Sequence, residues 1–308
     1  MPRFLAIRLA LAVSTLFLIV VASFFLQRSA PGGPFDRDRE MPERVRRELE
    51  REWLLDRPLG EQLGAYLRGL LSIPPDLKSS MIQPEFRVAE IIGPRLRVSL
   101  TLGAAALVFS LAVGIPAGVL AALRRRRPSE HLLMFLALVG ISVPPFVFGP
   151  LAKRLFALDL GWLPESRWQG PRSMVLPVLT LSLATIATAA RLVRSSMIEA
   201  LDRDHVRAAR ARGLPEWRVI CVHALPGALT PICSWLGPAA AGLCTGSVVV
   251  ERIFSIPGLG QVFVDAAFNR DYTVVMGVVI VYSSILLACN IGADLLLAAI
   301  DPRTRSGR

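Results

Sequence analysis

The feature that most constrains this chain is a series of six apolar windows, nearly free of charge, each as long as a membrane span. A bilayer core about 30 Å thick is crossed by roughly 20 apolar residues in a helix, which satisfies its own backbone hydrogen bonds. The chain has 53% hydrophobic residues and a mean hydropathy of +0.51, more than a water-soluble core requires. We therefore predict an all-α integral membrane protein with six transmembrane helices. The windows are residues 9–26, 98–123, 131–152, 174–193, 227–250 and 274–300.

The first window has two interpretations, a membrane anchor or a cleaved secretory signal. Small residues suitable for cleavage follow it in the stretch QRSA, residues 27–30. However, a signal peptide has an apolar run of about 7 to 15 residues, which this window exceeds, and Pro31 would directly follow the cut. We favour an N-terminal transmembrane helix at 1–26, with the cleaved signal as the alternative.

The distribution of basic residues predicts the orientation, because cytoplasmic loops are enriched in arginine and lysine. One set of alternate short loops and termini is rich in them: Arg3, Arg8, Arg124, Arg125, Arg126, Arg127, Arg194, Arg203, Arg207, Arg210, Arg212, Arg218, Arg303, Arg305 and Arg308. The other set holds fewer: Lys153, Arg154, Arg167, Arg172, Arg252 and Arg270. We predict a plasma (inner) membrane protein with both termini, including the tail 301–308, in the cytoplasm. The net charge of +11 is then a topology signal in contact with membrane lipid, and we expect no nucleic-acid partner.

A polar segment, 27–97, separates the first two windows and is predicted to be extracytoplasmic. Within it, residues 40–56 carry mixed charges, and Val45, Leu49 and Trp53 repeat every fourth residue. This spacing predicts a surface helix. The helix is either a solvated cap or a docking surface for an external partner.

The sequence lacks the motifs of an enzyme or a metal site. There is no G-x-x-x-x-G-K-[ST] phosphate loop, no H-E-x-x-H and no G-x-S-x-G. The four cysteines show no C-x-x-C spacing, and the stretch CVH at 221–223 offers only two ligands where zinc requires four. We expect a protein that is not an enzyme and has no catalytic residue, metal or cofactor of its own.

Glycines and prolines recur inside the windows. Glycine permits close helix approach, and proline permits kinks where neighbouring helices satisfy the freed carbonyls, although membrane helices in general are rich in both. The residues are Gly114, Gly118, Gly140, Gly149, Gly237 and Gly242, with Pro116, Pro144, Pro145, Pro177 and Pro238.

An arginine-rich stretch, DHVRAARARGLPEW at 204–217, lies between two apolar windows. Asp204 suits a helix N-cap, Gly213 suits the left-handed position after the last turn, and Pro215 prevents continuation. A helix is therefore predicted over about 205–212. An isolated helix of this length is marginal in water and needs a surface to lie against.

The faces of this helix offer two candidate surfaces. Arg203, Arg207 and Arg210 form a cationic stripe, whereas Val206 and Ala209 continue to Gly213 as a stripe of small residues. The helix either lies on anionic headgroups or inserts its narrow stripe into a cleft of a partner.

The same stretch resembles a known loop. The stretch contains Ala208-Ala209-x-x-x-Gly213, and nine further residues separate Gly213 from His223-x-Leu225-Pro226. This spacing is similar to the EAA loop of binding-protein-dependent ABC importer permeases. Arg207 stands where the motif has glutamate, and His223 stands where isoleucine is usual. Both departures fit the peptide-importer branch of the family.

Further stretches extend the resemblance over nearly the whole chain. With them, the chain is similar to the first permease subunit of oligopeptide importers, which is related to dipeptide, glutathione and nickel permeases. The stretches are APGGPF after the first window, GIPAGVLAAL at 114–123, GWLP at 161–164, SMIEAL at 196–201, TGSVVVERIFSIPGLGQVFVDAAFNRDY at 245–272 and DPR at 301–303.

The resemblance implies an ABC importer permease core over 98–300 with a cytoplasmic coupling loop at 194–226. It also implies the partners: a second homologous permease, two ATPase subunits that carry ATP and Mg²⁺, and an extracellular or periplasmic protein that delivers a peptide. The short helix would be a coupling helix, with Val206, Ala209 and Leu214 inserting into an ATPase and arginines at the rim. The implied coupling residues are Asp204, Val206, Arg207, Ala208, Ala209, Arg210, Gly213, Leu214, Leu225 and Pro226.

The charge distribution places residues 253–271 outside. Pro257, Gly258 and Gly260 are expected to break the chain before helical spacing resumes at QVFVDAAF. We predict a re-entrant or interfacial turn that narrows the pathway and gates it from outside, so that cysteine labelling at Val262 and Asp265 changes with an ATP analogue. The alternative is an interfacial plug that only seals helix ends.

A carrier driven by ions alone is the competing class of function. It would require ionisable groups near the middle of the membrane, and among these we single out only Asp294, with Asn290 one turn earlier. Asp294 lies nearer the end of its window, and Arg191 or Arg194 would be a structural partner for it. A membrane enzyme has no catalytic constellation to support it.

Overall fold

The computed structural model describes residues 2–35, 42–72, 75–165, 168–245 and 247–300, which are largely helical. The predicted tail 301–308, and with it the motif DPR, lies outside these residues, as does Arg167. The helices are α1 Pro2–Ser29, α2 Glu43–Glu52, α3 Leu59–Leu70, α4 Val88–Leu123, α5 Pro128–Ser142, α6 Pro145–Ala152, α7 Pro171–Leu201, α8 Asp204–Ala211, α9 Glu216–Arg218, α10 Leu225–Ala228, α11 Thr230–Thr245, α12 Val248–Ile253, α13 Leu259–Phe268 and α14 Tyr272–Ile300, with π-helical segments at Lys153–Asp159 and Val219–Ala224.

Five of the six apolar windows overlap segments that are long and apolar enough to cross a bilayer. These are Leu5–Ser29, Val88–Leu123, Pro171–Leu201, Thr230–Ile253 and Tyr272–Ala299. The all-α prediction is confirmed for the described residues. The surface helix predicted in the segment 27–97 is also present, as α2, and none of its residues is buried.

The remaining window, 131–152, does not form one continuous helix. Pro128–Ser142 and Pro145–Asp159 meet at an angle of 101°, which makes them a broken span or a re-entrant pair. Val143 and Pro144 are extended, with ψ of 113° and 145°. The helical region is disfavoured for a residue before proline, and two consecutive prolines impose this restriction twice. The described residues therefore contain five continuous candidate spans, or six if this bent pair is one span, and the count of six stays a prediction.

The chain divides into two compact units. One combines the described residues of Met1–Phe4, Val98–Pro257 and Ile285–Arg308, and the other combines Leu5–Arg97 with Gly258–Ser284. Residues 258–284 thus group with the polar segment 27–97. The sequence-based division into 1–26, 27–97 and 98–300 stays a prediction.

In the first unit, α4 and α7 approach closely through glycine. A Cβ built on Gly114 would lie 2.8 Å from the Cβ of Ala189, and one on Gly118 would lie 2.5 Å from the carbonyl oxygen of Ala190. The Ser182 hydroxyl donates to the Ala106 carbonyl across the same contact, at 3.1 Å. Close packing of small residues holds the two helices together here. The hydrophobic effect adds little between membrane helices, because lipid tails are as apolar as the side chains.

In the second unit, Asp271 joins the start of α14 to Ser80 and Met81. Its buried carboxylate caps the helix by accepting from Val274 N at 3.2 Å. It also accepts from the hydroxyl of Ser80 and from Met81 N. Buried polar groups without such partners would be costly, so this carboxylate fixes the position of the loop.

Candidate functional site

The arginine-rich stretch forms the predicted short helix, but the helix begins one residue earlier than expected. Arg203 is extended and occupies the N-cap position, and its carbonyl accepts from Val206 N at 3.0 Å and Arg207 N at 3.1 Å. Asp204 is therefore not the cap but the first helical residue. Its negative charge in the first turn still interacts favourably with the positive end of the helix dipole.

The end of α8 agrees with the sequence. Gly213 has φ +76°, the left-handed conformation predicted for it. Gly213 N donates to the Arg210 carbonyl at 2.9 Å, and Leu214 N donates to the Ala209 carbonyl at 3.4 Å. This pair of bonds is a Schellman motif, which satisfies carbonyls that the helix end would leave free.

The apolar face of α8 packs against its own chain. Val206 and Ala209 are both 0% exposed. They form one cluster with Met197 and Ala200 of α7 and with Val219, Ala224 and Ala228 beyond the helix, and Leu214 packs against its edge. The prediction that Val206 and Ala209 insert into an ATPase is therefore wrong, because other residues of this chain already cover both side chains. An amphipathic pattern shows that a face is buried but not which molecule covers it.

The opposite face of α8 is not covered by the part of the chain that the structure describes. Arg207, Ala208 and Arg210 are exposed, as are Gly213 and Asp204. These residues form a surface in which one small side chain lies among charges. We call the exposed side chains of α8 the outer face.

Arg210 is less available as a rim charge than the sequence indicates. Its guanidinium donates to the carboxylate of Glu216 at 2.6 and 3.3 Å, which connects α8 to α9. The hydrogen bond from Arg210 holds the pKa of Glu216 below its ordinary value. Both side chains are largely exposed, so water screens the pair and its contribution to stability is small.

Two further residues of the loop were predicted from the motif, and one was missed. Leu225 and Pro226 begin α10, directly after the π-helical segment. His205 Nε2 lies 3.2 Å from the carbonyl oxygen of His223, which connects the start of α8 to the same segment. Trp217, which we did not single out, is 61% exposed beside the outer face. A large aromatic side chain within a basic loop is a signal for a contact surface that the motif comparison did not use.

The segment 253–271 contains the predicted break, although Gly260 does not take part in it. Ser255 has φ +50°, Pro257 is exposed and Gly258 caps α13, which begins at Leu259. Gly260 therefore lies in the first turn of the helix. A helix can begin two residues before the expected QVFVDAAF because a glycine in a first turn is tolerated.

The two gate residues have different environments within the second unit. Val262 is buried in a cluster with Val88 and Ile92, whereas Asp265 is exposed. Both line a cavity of about 320 Å³. A gating role for this segment stays a prediction.

Charged residues of the spans are arranged differently from the expectation. Arg194, which we proposed as a partner for Asp294, binds Glu130 instead, with Nε 2.7 Å from the carboxylate. A buried carboxylate that the sequence analysis did not single out is Glu251, which accepts from Ser99 at 2.7 Å and from Ser247 at 2.5 Å. Asp294 is therefore not the only acidic group in these helices.

Comparison with known proteins gives matches along the whole chain. Residues 114–306 match the model of the family described as binding-protein-dependent transport system inner membrane component. The chain is 40% identical to the oligopeptide transport system permease protein OppB of Escherichia coli (strain K12), over 99% of this chain and 100% of OppB. It is 38% identical to the dipeptide transport system permease protein DppB of Bacillus subtilis (strain 168), over 99% and 98%.

Solved structures agree at the level of the fold. An inward-facing structure of the MetNI methionine ABC transporter superposes with a TM-score of 0.58, covering 68% of this chain and 96% of that chain. The sequence identity is 18%, so this likeness concerns the fold alone. Together with the family match and the two full-length relatives, it leads to one conclusion. The chain belongs to the family of binding-protein-dependent transport system inner membrane components.

Proposed function

We propose that this chain is the transmembrane permease subunit of an ATP-driven importer for oligopeptides. The observation that carries the proposal is its 40% identity to OppB over nearly the full length of both chains. The 38% identity to DppB makes a dipeptide permease the second candidate. The two candidates share one mechanism and differ only in the length of the substrate.

The chain would form half of a translocation pathway. A second permease would supply the other half, two ATPases would bind on the cytoplasmic side with ATP and Mg²⁺, and a binding protein would deliver the peptide from outside. In this arrangement both termini are cytoplasmic and the segment 27–97 is extracytoplasmic. The missing phosphate loop is consistent with this division of labour, because the residues that bind ATP would belong to another chain.

The packing of α8 supports a mechanical role for the coupling loop 194–226. Its buried face attaches it to the end of α7 and to the residues around α10. An ATPase that moves the outer face would therefore move these elements with it, because packed interiors transmit displacement as rigid bodies. Coupling would therefore require both faces of α8. The outer face would contact the ATPase, and the buried face would contact the rest of the permease.

Reconstitution in proteoliposomes tests the proposed function. We expect this chain, together with its partner permease, ATPases and binding protein, to take up a labelled pentapeptide only when ATP is supplied on the ATPase side. A labelled dipeptide should enter much more slowly, and a preference for it would favour the second candidate. Uptake driven by a proton gradient without ATP would contradict both.

The left-handed end of α8 gives a specific test of coupling. A valine at φ +76° costs roughly 1–3 kcal/mol of strain, whereas asparagine is tolerated there. A Cβ added at Gly213 meets no atom within 4 Å, so any effect comes from the backbone and not from a clash. We expect Gly213→Val to reduce ATP-driven uptake about tenfold at an unchanged membrane level, and Gly213→Asn to retain most of it. Equal uptake by both variants would show that coupling does not need this helix end.

A further inference from the structure

A basic cavity lies beside the loop that joins α4 to α5. It has a volume of about 480 Å³ and is lined by Arg125, Arg126, Glu130, His131, Met134 and Arg194. The loop follows the last residue of one candidate span, Leu123, and precedes the first residue of the next segment, Pro128. The cavity therefore lies at the level where a membrane helix leaves the hydrocarbon and meets the headgroups.

The acidic residue of the cavity is already neutralised. Glu130 is buried, and one of its oxygens accepts from both Nε and Nη2 of Arg194. The other oxygen accepts from Arg126 N at 2.5 Å. A buried carboxylate paired in this way leaves the side chains of Arg125 and Arg126 to set the sign of the cavity, which is positive.

The same carboxylate fixes the shape of the loop. Arg126 has φ +65°, a conformation that costs a residue with a Cβ roughly 1–2 kcal/mol, and its amide is the one bound by Glu130. Strained backbone persists where the surrounding structure holds it, and such places are enriched in binding sites. The two arginines are thus presented by a fixed turn and not by a freely moving loop.

The arginine side chains are suited to an anion. Arg125 approaches Asp202 at 3.9 Å, which is longer than a hydrogen bond, and both side chains are more than half exposed. A guanidinium binds phosphate with two parallel hydrogen bonds, and it holds its charge at any physiological pH. The chemistry of the cavity therefore fits a phosphate group.

The surface next to the cavity indicates where that phosphate comes from. Directly after His131, helix α5 exposes Leu132 at 59%, Phe135 at 60% and Leu136 at 57%. Such a surface is suited to acyl chains, whereas a free phosphate would gain nothing from it and a soluble protein would not reach side chains that lie within the hydrocarbon. Basic pockets between transmembrane helices at the membrane surface bind anionic lipid headgroups. We infer that this cavity binds the phosphate of an anionic phospholipid, whose chains lie along the exposed face of α5.

A matched pair of variants separates a built site from general charge attraction. R125Q/R126Q removes two arginines that line the cavity, and R124Q/R127Q removes two from the same loop that do not line it. The purified permease assembly in detergent is titrated with phosphatidylglycerol or with phosphatidylcholine of the same chain length, and bound lipid is counted by native mass spectrometry. The midpoint of thermal unfolding shows that each variant is folded.

We expect R125Q/R126Q to weaken phosphatidylglycerol binding about tenfold or more, and R124Q/R127Q to weaken it less than about threefold. Phosphatidylcholine binding should not change, and inorganic phosphate at the lipid concentration should not compete. R125Q alone, which leaves the strained turn intact, should show several-fold weakening if the double variant does not fold. Equal losses in the two double variants, or competition by inorganic phosphate, would overturn the proposal. Loss of the ATPase with unchanged lipid binding would assign the arginines to a protein contact instead.

Discussion

Ala208→Trp is expected to abolish ATP-driven uptake while the permease stays folded, whereas Ala209→Trp is expected to remove most of the folded permease from the membrane. The two alanines are adjacent on α8, but Ala208 lies on the outer face and Ala209 is completely buried against α7. Overpacking a filled site costs about 1–3 kcal/mol for a few added methylene groups, and an indole adds far more volume than these. At Ala208 the same side chain meets water in the isolated chain and obstructs only a partner.

The measurement combines the amount of permease in the membrane, co-purification of the ATPase and peptide uptake. Ala208→Trp should retain a normal amount of protein and lose at least about nine-tenths of both other signals. Normal ATPase binding and uptake by Ala208→Trp would mean that the ATPase docks elsewhere. A stable and active Ala209→Trp would mean that α8 does not pack on its own chain as described.

Gly118→Ala is expected to destabilise the permease by about 2–3 kcal/mol, the second of the large effects. The added Cβ would lie 2.5 Å from the carbonyl oxygen of Ala190 and 2.7 Å from the Cβ of Val193, so α4 and α7 would have to separate. A backbone oxygen cannot rotate away as a flexible side chain can. The loss of packing between these two helices is not offset in lipid.

Gly242→Ala is the matched control for this change. Gly242 also lies within a candidate span, but a Cβ there meets no atom within 4 Å. We expect this substitution to be neutral or to stabilise the helix by up to about 1 kcal/mol, because alanine is the better helix former. Thermal unfolding in detergent, followed by the reaction of a thiol-specific dye with buried cysteines, compares the two. Equal midpoints would show that the helices have room at Gly118.

The sequence predicted features that depend on neighbouring residues and missed those that depend on distant ones. The left-handed Gly213 and the end of α8 follow from local chemistry, and both are present. The break occurs at Pro144 and Pro145, which the sequence analysis named among the prolines that permit kinks, although hydropathy does not predict its angle of 101°.

Residues that meet across long sequence separations could not be placed from the pattern. The sequence analysis did not single out Glu251, which directly follows an apolar window, and the structure pairs it with Ser99 from α4. The sequence analysis correctly separated a face of α8 with small side chains from a charged face. It assigned Val206 and Ala209 to a contact with a partner, whereas both pack against this chain. A periodic pattern carries no information on whether the covering surface belongs to the same chain.

The burial of Val206 and Ala209 has a consequence for how an ATPase would recognise this permease. An eight-residue helix left in water would spend most of its time unfolded, and a contact populated one-tenth of the time binds about tenfold more weakly than one always formed. Because the inner face of α8 is completed by α7 and by residues 219–228, the helix forms when the permease itself folds. The loss of chain entropy then occurs when the permease folds and not when it binds an ATPase. Each encounter with an ATPase therefore starts from a conformation that is already competent to bind.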